Sequence, residues 1–301
     1  MTDASRVITV ATAQYPIDAF ASFDDFKAKA SRWVHDAVAR GAQLLVFPEY
    51  GAIELASLLP DDIQDDLEAQ LHAMQPLREP FVKVWRELAE THGVTLLAPS
   101  LPWQVEDGRF VNRAWLMTPN GSVDYQDKQI MTRFENDEWG ISSGEGLKIF
   151  DTPVGRLGVL ICYDSEFPEL ARALAEADVD LLLVPSCTDT EAGYYRVRHS
   201  CQARAIEQQI AVVHSPTVGE ALWSPAVDIN VGHAAIYTPC DHGLPANGVL
   251  CMSQDATPGW QVARLDLDQI RRLRSHGQVN NYADWSLQPA RLNLAIERVT
   301  F

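Results

Sequence analysis

No stretch of this chain approaches the roughly 20 consecutive apolar residues that a bilayer-spanning helix needs, so no membrane partnership of that kind is expected. Basic residues are scarce: 24 Lys and Arg stand against 41 Asp and Glu, a formal net charge of −17. Nucleic acid and anionic membrane surfaces both need a basic face, so neither is an expected partner. The excess of acid is read as serving solubility. Cysteine is sparse as well. Cys162, Cys187, Cys201, Cys240 and Cys251 make an odd number with no CxxC pair. The segment Met1–Arg6 is polar and lacks the apolar core of a secretory signal. A cytoplasmic location with reduced thiols is therefore expected, not a disulfide framework. The eight histidines show no HExxH and no paired Cys/His spacing, so no metal site and no cofactor is read. Repeats, low-complexity tracts and linkers are also missing, and residues 1–301 are expected to form a single domain.

What is present is an alternation of strand and helix patterns. Val7 to Ala13 reads as a first strand, and Ser22-Phe23-Asp24-Asp25 resembles a capping box. It opens a helix with apolar positions Phe26, Ala30, Trp33, Val34, Ala37 and Val38, and Gly41 stops it. Strands follow at Gln43 to Phe47 and Val94 to Ala98, with a helix at about Phe81 to Thr91 between them. Pro119-Asn120-Gly121 predicts a hairpin joining Phe110–Thr118 to Ser122–Asp127. Leu147–Asp151 and Arg156–Ile161 read as another strand pair. A helix from Pro168, a strand Leu181–Val184, a helix near Arg196–Gln208 and a strand Ile210–His214 come next. Val231 to Asp266 reads as meandering strands, and residues 276–301 as a carboxy-terminal arm. The expected class is layered α/β with a largely buried, mixed sheet.

Three of these strands end on an ionisable side chain, and carboxyl ends of strands are where α/β sheets build sites. Leu44-Leu45-Val46-Phe47-Pro48 leads to Glu49, Asp124-Tyr125-Gln126-Asp127 to Lys128, and Gly158-Val159-Leu160-Ile161 to Cys162. Singly, Glu49 reads as well as a solvated turn residue, Lys128 as a strand-edge charge and Cys162 as a small core residue. The strand–turn–helix pattern around Cys162, with Pro168 at a first helical position, favours a reactive thiolate beside a helix N-terminus.

Taken in order, the three segments resemble the nitrilase superfamily, the carbon–nitrogen hydrolases with a Glu-Lys-Cys triad. Gly155-Arg156-Leu157-Gly158 and the segment Tyr194 to Gln208 are similar to that family too, and the resemblance runs from Val10 to about Leu265. It implies a four-layer-forming α-β-β-α sandwich with mixed sheets, and a homodimer. It also implies Cys162 as nucleophile, Glu49 as general base and Lys128, with the Tyr163 backbone N–H, as oxyanion stabiliser. A second family glutamate is implied between lysine and cysteine. Glu138 lies 24 residues before Cys162, where the family places it, and is favoured over its competitor Glu135. Tyr50, Trp139 and Thr188 are candidate pocket walls. Cys187 is read as a buried structural residue or a further wall. Arg196, in Tyr194-Tyr195-Arg196, reads equally as a substrate-carboxylate binder and as a subunit contact. The activity implied is hydrolysis of a small non-peptide amide or carbamoyl C–N bond through a cysteine thioester. Nitrile hydrolysis, acyl transfer to an amine and a non-catalytic interaction protein are the alternatives.

Overall fold

A computed structural model of the chain describes residues 6–301. The segment 1–5, which carries most of the polar start used above, lies outside the described residues. The strands are β1 Val7–Pro16, β2 Leu44–Val46, β3 Thr95–Leu97, β4 Leu101–Gln104, β5 Phe110–Met117, β6 Val123–Asp127, β7 Ile141–Ser142 and β8 Ile149–Thr152. They continue as β9 Gly155–Val159, β10 Leu181–Ser186, β11 Ala211–Glu220, β12 Ile229–Asn230, β13 Ala235–Tyr237, β14 Val249–Met252 and β15 Gly259–Asp266. Hydrogen bonding runs in the order β4-β5-β3-β2-β1-β11-β10-β9-β8. The neighbours β1/β2/β3 and β9/β10/β11 are parallel, while the hairpins are antiparallel. The sheet is therefore mixed.

Among the described residues the curled sheet divides into two halves whose strands pair with each other only where β1 meets β11, at Tyr15–Thr217 and Pro16–Val218. Side-chain alternation explains how the halves stack. From β1, β2 and β3, the side chains Val10, Leu44, Val46 and Leu97 fall in one core with Val159 and Leu183 of the other half. The intervening residues Ala11, Leu45 and Leu96 fall in a second core with Phe26, Val34, Phe81 and Trp85. Those last four lie on the helices Phe23–Ala39 and Arg78–His92, which cover the outer face. Helices Pro168–Glu176 and Glu191–Gln208 cover the opposite face through residues such as Leu174, Val197 and Cys201. The result is the α-β-β-α sandwich expected. Polar ties fasten the halves across the join: Thr12 Oγ1 donates to His214 O at 2.7 Å, and Ser215 Oγ reaches Ala13 O and Val46 O at 2.9 and 3.0 Å.

Local signals hold where they carry a mechanism. Ser22 caps its helix by accepting from Asp25 N, and β5 and β6 pair around the predicted turn. Differences arise where tertiary pairing decides. The helix expected near Arg196 begins at Glu191, because Thr190 Oγ1 caps it by accepting from Gly193 N at 3.1 Å. The meander resolves into two short strands, β13 and β14, and the eight-residue β15, which pairs along β1 from Gly259 to Asp266. Residues 51–77, without a legible pattern, form a 3₁₀ segment Gly51–Leu58 and short helices Asp61–Gln64 and Leu67–Ala73. Among the described residues no helix is long and apolar enough to cross a membrane.

Phe47, the residue after β2, sits in a cage of rings, with centroids 4.5 Å from Trp85, 5.0 Å from Trp260 and 5.6 Å from Tyr15. Burying a phenyl ring in such a cage is worth more than its area alone, because cavity formation adds to the lost transfer energy. Phe47→Ala is expected to lower stability by about 3–5 kcal/mol, read as a shift in the urea midpoint without change of slope.

Candidate active site

Glu49, Lys128 and Cys162 stand at the same end of the sandwich, just past β2, β6 and β9. The β2 exit is steered by backbone bonds: Phe47 N donates to Leu97 O at 3.0 Å and Ser100 N to Pro48 O at 3.1 Å. Tyr50 then turns through a left-handed conformation, φ 53°, with its N–H on Ser100 Oγ at 2.9 Å. Glu49, 1% exposed, thereby points into the molecule. Its Oε1 accepts from Asn112 Nδ2 at 2.9 Å and Lys128 Nζ at 2.8 Å, and its Oε2 from Cys187 N at 2.9 Å. Both carboxylate oxygens are aimed.

Lys128 leaves β6 with its N–H on Asn112 O at 2.9 Å and its carbonyl accepting from Gly144 N at 2.8 Å. Gly144 has to be glycine there, since a Cβ would stand 2.6 Å from Asp127 Cβ. The buried ammonium bridges Glu49 and Glu135, reaching Glu135 Oε2 at 2.6 Å. Glu135 also accepts from Tyr50 OH at 2.6 Å and from Thr132 N and Oγ1, each at 2.9 Å.

The carboxylate facing Lys128 is thus Glu135, and the expectation for Glu138 is corrected. Glu135–Trp139 is a single π-helical turn closed by Gly140 at φ 77°. That turn buries its first and last residues, Glu135 and Trp139, and leaves Glu138 exposed on its outer side. The sequence did hold a signal, because Thr132-Arg133-Phe134-Glu135 has capping-box spacing.

Cys162 opens a 3₁₀ turn, Cys162–Glu166, in a left-handed conformation at φ 50°. Its thiol lies 3.8 Å from Cys187 O. Asp164, fully buried, ties this turn to the Lys128 loop by accepting from Ile161 N, Gln129 N and Ile130 N at 3.1, 3.1 and 2.8 Å. A cavity of about 380 Å³ brings Glu49, Lys128, Glu135 and Cys162 together with Tyr50, Trp139, Tyr163, Cys187 and Thr188. Arg133 and Arg196 stand at the same cavity, Arg196 3.5 Å from Glu166. Tyr50 and Trp139 form an aromatic wall, with centroids 4.6 Å apart and ring planes tilted by 46°. The Thr188 hydroxyl is engaged with Val231 O at 2.7 Å. Sequence reasoning missed Asn112, whose amide is a polar side chain inside β5 beside Arg113, and the Cys187 N–H, which no side-chain pattern announces. A larger cleft of about 700 Å³ opens elsewhere, between Trp103, Tyr125 and Lys148, and none of the three ionisable residues lines it.

Burial pushes the Glu49 carboxyl up to about 7, with the Lys128 charge opposing it. Burial works against the Glu135 carboxylate too, but Lys128 and the Tyr50 hydroxyl outweigh it and hold this group below its usual range. Burial first, and then the charge of Glu49, raise the Cys162 thiol well above its ordinary value. The expected stabilised thiolate is therefore not what this site favours at rest. The arrangement holds a protonated thiol beside a carboxyl poised to take its proton, with the Lys128 ammonium bonded to that same carboxyl. That set of groups can add sulfur to a carbonyl or nitrile carbon.

Residues 9–275 match the family described as carbon-nitrogen hydrolase. A Bacillus subtilis (strain 168) protein named probable hydrolase YhcX is 31% identical over 92% of this chain, which spans 53% of that protein's length. An omega-amidase of Xenopus laevis, NIT2-B, is 26% identical, with 70% of this chain and 74% of the relative covered. Among solved structures, Saccharomyces cerevisiae Nit3, a member of branch 10 of the nitrilase superfamily, superposes with a TM-score of 0.71 at 22% identity. That superposition covers 89% of this chain and 93% of the other.

Glu135→Gln is expected to cut turnover of a small amide by at least about 100-fold, because it removes the charge that orients Lys128. Glu138→Gln should stay within about twofold of wild type, as surface substitutions usually do. Steady-state kinetics of the two variants side by side check this, and the reverse ranking would return the role to Glu138.

Proposed function

The chain belongs to the carbon–nitrogen hydrolase family of the nitrilase superfamily, and from that premise we propose that it hydrolyses the C–N bond of a small non-peptide amide. The observation that carries the reading is the Lys128 ammonium held by Glu49 and Glu135 in the cavity that also receives Cys162. Cys162 Sγ attacks the carbonyl carbon while Glu49 takes the thiol proton. Lys128 Nζ and the Tyr163 N–H bind the oxyanion that develops. Collapse of this adduct breaks the C–N bond, and Glu49 returns the proton to the departing ammonia or amine. The thioester left on Cys162 is then hydrolysed by water, with Glu49 again accepting a proton. Glu135 aims Lys128 and faces the substrate. An amide is favoured over a nitrile by the omega-amidase among the relatives.

The raised thiol and the raised Glu49 carboxyl fit this sequence of proton transfers. Glu49 acts as a base only when ionised, so kcat/KM should fall as pH drops below about 7 and recover above it. A Glu49→Gln variant should lose both the activity and this acid limb.

Cys162→Ala is expected to abolish ammonia release from a panel of small amides while leaving the fold intact. Mass spectrometry of substrate-treated wild type should find an acyl adduct on the peptide holding Cys162; an adduct on Cys187 or Cys201 would overturn the assignment. Lys128→Met should lose about 100- to 1000-fold in kcat with a smaller change in KM. It should also melt earlier, since two buried carboxylates lose their counter-charge.

The proposal includes a homodimer. The carboxy-terminal run exposes Leu292, Leu294, Ile296, Val299 and Phe301, an apolar surface suited to cover by a second copy. Equilibrium sedimentation should return twice the chain mass of 33.5 kDa, and a single chain mass would remove this part of the reading.

A further inference from the structure

One fully buried carboxylate has no part in the chemistry above. Glu54 lies in the 3₁₀ segment Gly51–Leu58, which starts directly after Tyr50. Its Oε1 accepts from Tyr15 OH at 2.8 Å and its Oε2 from Lys29 Nζ at 2.7 Å. Lys29, 1% exposed, also reaches Asp18 at 2.9 Å and Pro16 O at 2.6 Å, and its ammonium sits 4.0 Å over the Tyr15 ring. This cluster repeats the bonding pattern of the cavity, where Tyr50 OH meets Oε1 of Glu135 and Lys128 Nζ meets Oε2. The two sets share one short stretch of chain. Glu49 and Tyr50 at its start belong to the cavity, and Glu54 at its other end belongs to the second cluster.

Contact between them is direct. At Gly51 a Cβ would stand 3.0 Å from Pro99 Cβ, 3.3 Å from Pro48 Cγ and 3.4 Å from Tyr15 Cδ1, so the Tyr15 ring edge lies against the backbone beside Tyr50. Tyr50 itself is held at φ 53°. A left-handed non-glycine residue costs about 1–3 kcal/mol and persists only where its surroundings over-determine it. Tyr50 N–H on Ser100 and Tyr50 OH on Glu135 anchor one side of the turn. On the other side the neighbours Ala52, Ile53, Leu55 and Ala56 are buried and apolar, and apolar packing alone is non-directional. Neutral bonds tie the segment's ends, Ala52 N to Ser100 O at 3.4 Å and Ser57 Oγ accepting from Phe20 N at 2.9 Å, and Glu54 supplies the charged, fully buried one between them. Because a buried ion pair is seldom a net gain in stability over apolar side chains, its presence here calls for another role.

We propose that Lys29, Glu54 and Tyr15 form a positioning cluster that fixes the Gly51–Leu58 segment so that Glu49 meets Cys162 in reactive register. The proposal rests on the reading of Glu49 as the base. A misplacement near 1 Å at a reacting group can cost about 100-fold in rate.

The test compares wild type, Glu49→Gln and the double variant Lys29→Met/Glu54→Leu, which removes both charges together and is expected to stay folded. Glu54→Gln, which keeps size and one acceptor, replaces it if the double variant does not fold. Two readouts are taken: kcat and KM on an amide, and the rate at which iodoacetamide alkylates the Cys162 peptide across the neutral pH range. Glu49, Lys128, Glu135, Tyr50 and Cys187 surround that thiol in every variant except for the residue changed. The expected result is a melting temperature near wild type, kcat lowered by about 10- to 100-fold with KM little changed, and an alkylation limb moved along the pH axis. An alkylation profile that depends on Glu49 but is unchanged in the double variant, with wild-type kcat, overturns the positioning role alone. A wild-type profile untouched by Glu49→Gln overturns the base assignment, and the positioning role with it.

Discussion

An ammonium taken out of water must be answered by negative charge within hydrogen-bond reach, and the buried Lys128 meets that demand twice, at Glu49 and at Glu135. The demand reaches far into the structure. Glu49 has to arrive from β2, Glu135 from the turn after Thr132, and Lys128 from β6. Asn112 on β5 is the hinge of this meeting, since its amide donates to Glu49 and its carbonyl receives the Lys128 N–H. Both oxygens of Glu49 and both of Glu135 accept hydrogen bonds, so neither carboxylate is left half-satisfied, the condition under which buried polar networks become costly.

The same charge separates two chemically identical groups. Glu49 and Glu135 both touch Lys128, yet Glu135 gathers four donors and remains ionised, while Glu49 is carried upward by burial. Environments that push like groups apart in this way assign them different work. One carboxyl becomes able to exchange a proton near neutrality, and the other becomes a fixed charge. The thiol, lifted by burial and by Glu49, completes the arrangement as a donor awaiting that exchange.

Two of the four non-glycine residues with left-handed backbone among the described residues stand at the same place. Tyr50 and Cys162 both take left-handed backbone, at φ 53° and 50°. Each follows a strand whose direction would otherwise carry the chain past the cavity, and each is braced from outside its own segment. Ser100 and Glu135 brace the first, and Asp164, spanning the Lys128 loop and the Cys162 turn, braces the second. The rigid sandwich beneath, tied across the join by Thr12 and Ser215, gives these braces a fixed frame.

Much of this molecule was legible in order along the chain. Side-chain periodicity, the Ser22 cap and the Pro119-Asn120-Gly121 turn determine local elements, because each acts within a few residues. The strand-end positions of Glu49, Lys128 and Cys162 are local facts too, and their order carried the family resemblance. What only the tertiary structure decided is which groups meet. Glu135 and Glu138 differ by less than one π-helical turn, and burial chose between them by the direction each faces. The burial that raises the thiol needs stretches far apart in sequence, among them those around Glu49, Lys128, Cys187 and Val227. The pairing of β15 with β1, and the bond from the Cys187 N–H to Glu49, join residues more than a hundred positions apart. Interactions of that range depend on the closed fold, because only there do distant backbone groups share one dry space.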